Sequence, residues 1–228
     1  MVFPGKCRAD EKANADTGRV TAKATSNPAT AACEAPAGLP MRRTPLPGRA
    51  PFTVADLLRF PDDGNRYELS NGCLVVSPSP TPRHQVVLFR LQQVLDAVAP
   101  AGLEPLGRVN LKVDEDEFFI PDVVLVAAEA VVRTELMFDP SDIHLIVEVV
   151  GPHTRSQDRC WKRIAYADAG IPVYWRVEPS EGPSIHVYEL VEGDYVRTQT
   201  HKAGEPAKFF APFEMEFDPA VLIARRSS

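Results

Sequence analysis

Phe118-Phe119-Ile120-Pro121-Asp122-Val123-Val124-Leu125-Val126 and Ile143-His144-Leu145-Ile146-Val147-Glu148-Val149-Val150 decide the fold of this chain. Their β-branched residues are nearly continuous, so both stretches read as strands buried on two faces. Each also carries one carboxylate. An ionised acid in such a strand costs several kcal/mol, roughly, unless it is paired or binds a cation. The two acids lie about 26 residues apart, and the simplest task they can share is to hold a hard divalent metal. Pro121 has no N–H to give a central ladder, so it marks a strand start or an irregularity. Asp122 shares a strand face with Val124 and Val126, and Glu148 shares one with Ile146 and Val150. Neighbouring strands would bring both acids to one cation, and the Val149 carbonyl would add a ligand.

The segment after Glu148 supplies counter-charge. Ser156 to Ala169 reads as a helix stopped by Gly170. On a 100° wheel Asp158, Lys162 and Tyr166 fall on one edge, with Arg159 and Arg163 just beyond. Cys160, Trp161, Ile164, Ala165 and Ala167 make the apolar face. Lys162 can therefore stand over the sheet edge near Glu148. There an ammonium can hold an attacking water or offset charge developing on a phosphoryl group.

Further out, Thr53 caps a short helix, Val54 to Arg59. Arg66–Leu69 and Cys73–Ser77 read as a hairpin around Ser70-Asn71-Gly72, because Asn-Gly favours a tight turn. His84 to Ala99 is a helix whose core face is Val87, Leu88, Leu91, Val94, Leu95 and Val98. Gly102–Val113 holds a strand, and the acidic run Asp114–Glu117 reads as a solvated turn. Pro172–Val177 is another buried strand. Ile185–Leu190, Tyr195–Thr200 and Lys208–Phe210 form a short antiparallel meander. Strands interleaved with helices give an α/β class with a mixed sheet.

Composition narrows the function classes. The chain has 228 residues, 44% hydrophobic and 25% charged, ample for a core. No apolar run reaches the roughly 18–20 residues of a membrane span, and no secretory h-region precedes residue 50, so a cytoplasmic protein without membrane partners is expected. Cys7, Cys33, Cys73 and Cys160 lack CxxC spacing, which argues against zinc and for reduced thiols. Residues 1–50 are rich in Ala, Pro and Thr, carry +4, and read as a disordered tail. Residues 51–228 read as one domain carrying −10. That balance is not the footprint of a general nucleic-acid binder. Arg155, Arg159 and Arg163 form the obvious local basic run. Met41, ahead of Arg42-Arg43, is a candidate true start; an N-terminal peptide from within residues 1–40 would rule that out.

The same residues have plainer readings. Asp122 can cap the turn after Pro121, and Glu148 can pair with Lys162 for structure alone. Lys162 can be a solvated helix lysine, Glu68 an edge-strand acid, and His84 a helix-start cap.

A set of short motifs, in order, resembles the PD-(D/E)xK nuclease superfamily and, within it, the bacterial Uma family of restriction-endonuclease-like proteins. They are Phe52-Thr53-Val54, Arg66-Tyr67-Glu68-Leu69 with Asn71-Gly72, and Pro82-Arg83-His84-Gln85. Pro121-Asp122-Val123-Val124 and Val147-Glu148-Val149-Val150 follow, then Pro152, Thr154, Asp158, Lys162 and Tyr166-Ala167. Ala169-Gly170-Ile171-Pro172 and Tyr174-Trp175 complete the set. The resemblance implies a restriction-endonuclease-like mixed β-sheet flanked by helices, with a C-terminal antiparallel extension. It implies a nuclease that cuts DNA using Mg²⁺ or Mn²⁺ held by Asp122 and Glu148. Lys162 would be moved to the helix from the usual place two residues after the acid, where Val150 stands. Glu68 would be a further acid at the metal side, and His84, Gln85, Asp158 and Tyr166 would line the site. Gly151 and His153 stand where the family usually has serines, and Glu178 where an Asp usually precedes Pro179. Two-strand cutting would be served by a homodimer. The rival readings are a non-catalytic DNA-binding or regulatory protein on the same fold, and an interaction module with no nucleic-acid role.

Overall fold

The computed structural model of the protein describes residues 48–77, 80–151, 156–179 and 182–224, the side chains of 156–160 excepted. The expected disordered tail and Met41 therefore fall, up to residue 47, outside the described residues.

Thr53 caps α1 (Val54–Leu57) through a capping box with Asp56. The hairpin follows as β1 (Arg66–Ser70) and β2 (Cys73–Ser77). Its two-residue turn has positive φ at both positions, 48° at Asn71 and 70° at Gly72, the geometry that Asn-Gly favours. Gly72 also lies so close to Pro51 that a Cβ would meet the Pro51 Cβ at 2.5 Å.

Next is α2 (Pro82–Val98), which begins two residues before His84 because Pro82 suits the first helical turn. Val87, Leu88, Leu91 and Leu95 are buried as the spacing predicts, but Val98 at the last helical position is exposed. Each buried aliphatic side chain contributes roughly 1.5–3 kcal/mol, so packing rather than propensity holds this helix.

The region from Gly102 to Val126 departs from expectation. In place of a single strand before the acidic turn there are β3 (Leu103–Gly107) and β4 (Leu111–Lys112), which belong to different sheets. The first acid-bearing run is also divided, into β5 (Phe118–Phe119) and β6 (Val123–Ala127). Asp122 thus stands just ahead of β6, not inside a strand. Pro121 is the reason: without an N–H it cannot continue the ladder, and the chain uses it to cross from one sheet to the other.

The chain continues with α3 (Ala128–Arg133), β7 (Ile143–Val149), α4 (Ser156–Asp168) and β8 (Val173–Glu178). It ends with β9 (Ser184–Val191), β10 (Asp194–Lys202), β11 (Ala207–Phe209) and β12 (Met215–Phe217). The main sheet runs β10-β9-β8-β7-β6-β3, with β7 and β8 parallel and joined by α4. Its other pairs are antiparallel. The small sheet runs β2-β1-β5-β4. The expected C-terminal meander is corrected: β9 and β10 extend the main sheet, while β11 leaves it to pair with β12. Alternation locates strands but does not assign partners.

One face of the main sheet packs Val123, Leu125, Leu145, Val147 and Trp175 against α2 and the β11–β12 hairpin. The other packs Val124, Val126, Ile146 and Tyr174 against Ala165, Tyr166 and Ile171. The result is a mixed sheet flanked by helices. Ile164, expected on the apolar face of α4, is exposed, whereas Tyr166 is fully buried. The helix is therefore rotated so that its Lys162–Tyr166 edge meets the sheet.

Candidate active site

The antiparallel register Val123↔Val147 sets Asp122 and Glu148 across from each other at the end of the β6–β7 pair. Asp122 is buried. Its Oδ2 accepts from the Val149 N–H at 2.9 Å and stands 3.1 Å from His84 Nε2. The same His84 nitrogen lies 3.1 Å from the Val149 carbonyl oxygen. Both neighbours are acceptors, so Nε2 carries a proton; Nδ1 is buried with no hydrogen-bond partner among the described residues. Thr81 caps α2 by accepting from the His84 N–H, which fixes His84 in the first turn and aims its ring at the sheet end. Burial pushes the Asp122 carboxyl up. The hydrogen bond from His84, the Val149 N–H and the Arg66 guanidinium outweigh it and hold the group below the ordinary carboxylate range.

Glu148 faces α4. Its Oε1 accepts from the Tyr166 hydroxyl at 2.8 Å and from Lys162 Nζ at 3.1 Å. Lys162 is shared with Glu68, whose Oε1 lies 2.8 Å away and also accepts the Ile120 N–H at 2.9 Å. Ser77 donates to the other Glu68 oxygen at 3.4 Å. Two carboxylates therefore compete for one ammonium. Burial would lower the Lys162 pKa, but the charges of Glu148 and Glu68 reverse this and hold it above the ordinary lysine range. Glu148 is raised, first by burial and then by the charges of Asp122 and Glu68, against the pull of Lys162. The Tyr166 hydroxyl, buried and facing these acids, is raised too and stays a protonated donor.

The fold thus gathers Asp122, Glu148, Lys162, Glu68, His84 and the Val149 backbone from β1, α2, β7, α4 and the β5–β6 crossing. Tyr166 joins as a buried donor to Glu148. Gln85 does not join: it is exposed, and its side chain makes no hydrogen bond among the described residues. Arg163 is half-buried with its guanidinium 5.5 Å from the Tyr188 ring centroid. Arg155 and the side chains of Asp158 and Arg159 lie outside the described residues.

Two arginines were missed. Arg66 Nη1 lies 3.8 Å from Asp122 Oδ1, and the backbone N–H of Arg108 donates to the Asp122 carbonyl at 3.3 Å. Arg66 had a signal, since it shares a face of β1 with Glu68 two residues on. Arg108, in the loop after β3, had none. Together Lys162, Arg66 and Arg108 equal in number the three acids Glu68, Asp122 and Glu148.

Among the described residues, no three His, Cys, Asp or Glu side chains stand close enough together to form a ready metal cage. No helix among them is long and apolar enough to cross a membrane.

Compared with known proteins, residues 54–221 match Uma2, a family described as "Putative restriction endonuclease". The crystal structure of a putative nuclease from Anabaena variabilis is similar in fold. The TM-score is 0.60 at 16% identity, over 75% of this chain and 97% of that one. No curated protein matches.

Proposed function

The chain belongs to the Uma2 family, and we propose that it is a metal-dependent endonuclease that hydrolyses DNA phosphodiester bonds. The carrying observation is the convergence of two hard oxygen donors. Asp122 Oδ2 and the Val149 carbonyl lie at the same 3.1 Å from one point, the His84 Nε2, with Glu148 opposite Asp122 on the paired strand. This donor set fits Mg²⁺ or Mn²⁺. Such an ion needs only one or two carboxylates with waters and substrate oxygens, not a three-side-chain cage. Glu148 is raised by burial first and then by the charges of Asp122 and Glu68, the kind of perturbed carboxyl that gathers at functional sites.

Asp122, Glu148 and the Val149 carbonyl would hold the ion. When bound, it supplies Lewis-acid polarisation of a phosphate and lowers the pKa of an attacking water. The chain's own groups do the rest. Lys162 holds the water by hydrogen bonding and offsets charge developing on the phosphate oxygens. Glu68 keeps Lys162 protonated and in place from the small sheet. Tyr166 orients the Glu148 carboxylate. His84 ties the Asp122 carboxylate to the Val149 carbonyl. Arg163, with Arg155 and Arg159, would meet the DNA backbone. A homodimer would bring one site to each strand of a duplex.

A plasmid-nicking assay with Mn²⁺ tests this reading. Wild type should nick, and Asp122→Ala, Glu148→Ala and Lys162→Ala should each lose at least about a hundredfold in rate, the scale of removing one acid–base or charge-stabilising group. Equal nicking by all four proteins would sink the site. No nicking by wild type, with DNA still bound, would favour a non-catalytic DNA-binding protein on the same fold.

A further inference from the structure

We propose that Arg66 and Arg108 form a clamp for a backbone phosphate of the nucleic-acid substrate, on the Asp122 side of the site. This deepens the nuclease reading and rests on it for the identity of the substrate.

Both arginines adjoin Asp122, Arg66 through its guanidinium at 3.8 Å and Arg108 through its backbone N–H, and neither guanidinium is satisfied by the Asp122 carboxylate. Arg66 Nη2 donates to the Ile120 carbonyl, Nη1 stops at 3.8 Å from Asp122 Oδ1, and Nε is buried with no partner among the described residues. Arg108 Nε and Nη2 are likewise buried without a partner. Three buried donor nitrogens thus have no acceptor among the described residues, and buried donors are rarely left so unless a ligand completes them. Asp122 does not complete them: its Oδ2 is taken by the Val149 N–H and His84, and its Oδ1 stands 3.8 Å from Arg66 Nη1, beyond hydrogen-bond reach.

Charge agrees with this count. Two guanidiniums against one carboxylate leave a local +1, and a phosphodiester brings −1 on two acceptor oxygens. The planar donor fork of arginine matches that group in shape as well as in charge.

The backbone supplies an independent sign. Arg108 sits at φ 55°, in the left-handed region where a side chain is strained and glycine is not. Strain of this kind, held in place by the N–H of Arg108 donating to the Asp122 carbonyl, is kept where the side chain has work to do.

Arg108→Gly separates function from folding, since glycine suits the left-handed backbone at φ 55° while the whole side chain, guanidinium included, is removed. A labelled DNA duplex is titrated in EDTA across a salt series, so that no metal site contributes, and thermal unfolding is followed in parallel. Arg108→Gly should bind about tenfold more weakly at low salt, the scale of one charge-assisted hydrogen-bonded contact. Its log–log salt slope should be shallower by about one, with a melting temperature equal to or above wild type. Arg108→Lys should keep the wild-type slope and lose affinity, because charge remains but the fork is gone. Unchanged affinity and slope in Arg108→Gly would overturn the clamp. So would a melting temperature that falls along with affinity, or absence of DNA binding by wild type. The nicking assay keeps the two readings apart. Wild type that binds with an Arg108-dependent slope but does not nick retains the clamp and loses the nuclease. Wild type that nicks with an Arg108-independent slope does the reverse.

Discussion

Lys162 balances the acids at this sheet end. It lies between Glu68 and Glu148, at 2.8 and 3.1 Å, in a largely buried setting. Its removal leaves two carboxylates facing each other without a cation. Lys162→Met should therefore cost about 3–5 kcal/mol, the scale for breaking a buried ion pair from one side. Urea unfolding reads this as a lower midpoint at unchanged slope. Adding Glu68→Gln should return part of the loss, because the double variant has one buried charge fewer to leave unpaired. Strict additivity of the two substitutions would refute the coupling. Much of this cluster was legible in the sequence. Glu148 stood out as an acid in a β-branched run, and Lys162 followed at a helical spacing that could reach back to it. The Glu68 contact was not legible, since it spans two sheets and no local pattern encodes that distance. Arg108 gave even less, because a lone loop arginine has no periodicity to place it.

At the level of elements, local chemistry was readable wherever the chain makes its own partner. The capping box at Thr53, the Asn-Gly hairpin and the apolar stripe of α2 all close within a few residues. Errors arose where tertiary packing chose the partner. Pro121 divides a continuous apolar run between two sheets, β11 abandons the meander for β12, and α4 turns Tyr166 inward and Ile164 outward. The hairpin turn gives this level its own test. Gly72 has φ 70° and faces Pro51, whose Cβ and Cα would lie 2.5 and 3.0 Å from an added Cβ. Gly72→Ala should destabilise by about 2 kcal/mol or more, from left-handed backbone cost plus this contact. Because β1 carries Glu68 and Arg66, the same substitution should reduce nicking. Asn71→Gly, at φ 48° in the same turn, should be close to neutral. Equal melting temperatures for wild type and Gly72→Ala would contradict this account of the turn.

At the scale of the whole molecule, the site lies where the two sheets meet. Glu68 and Arg66 come from the small sheet, Glu148 and the Val149 carbonyl from the main sheet, and Asp122 from the Ile120-Pro121-Asp122 crossing between them. A divalent ion on Asp122 and Glu148 would join the crossing segment to β7 and relieve the repulsion among three acids. It would then bind the folded chain and not the unfolded one. Stability should therefore rise with metal concentration, by about 2.7 kcal/mol once the ion is a hundredfold above its dissociation constant. Calorimetry or a dye-based melt with Mn²⁺ should show a concentration-dependent increase in melting temperature that EDTA reverses. Ca²⁺, larger and less demanding in geometry, gives a useful comparison. Asp122→Asn keeps the size and the hydrogen-bonding shape of the side chain but loses its charge, so its melting temperature should not respond to Mn²⁺. A wild-type protein indifferent to Mn²⁺, or an Asp122→Asn protein that responds as strongly as wild type, would remove the metal from this junction. The acids, Lys162 and the two arginines would then have to be explained as a charge network that joins the sheets.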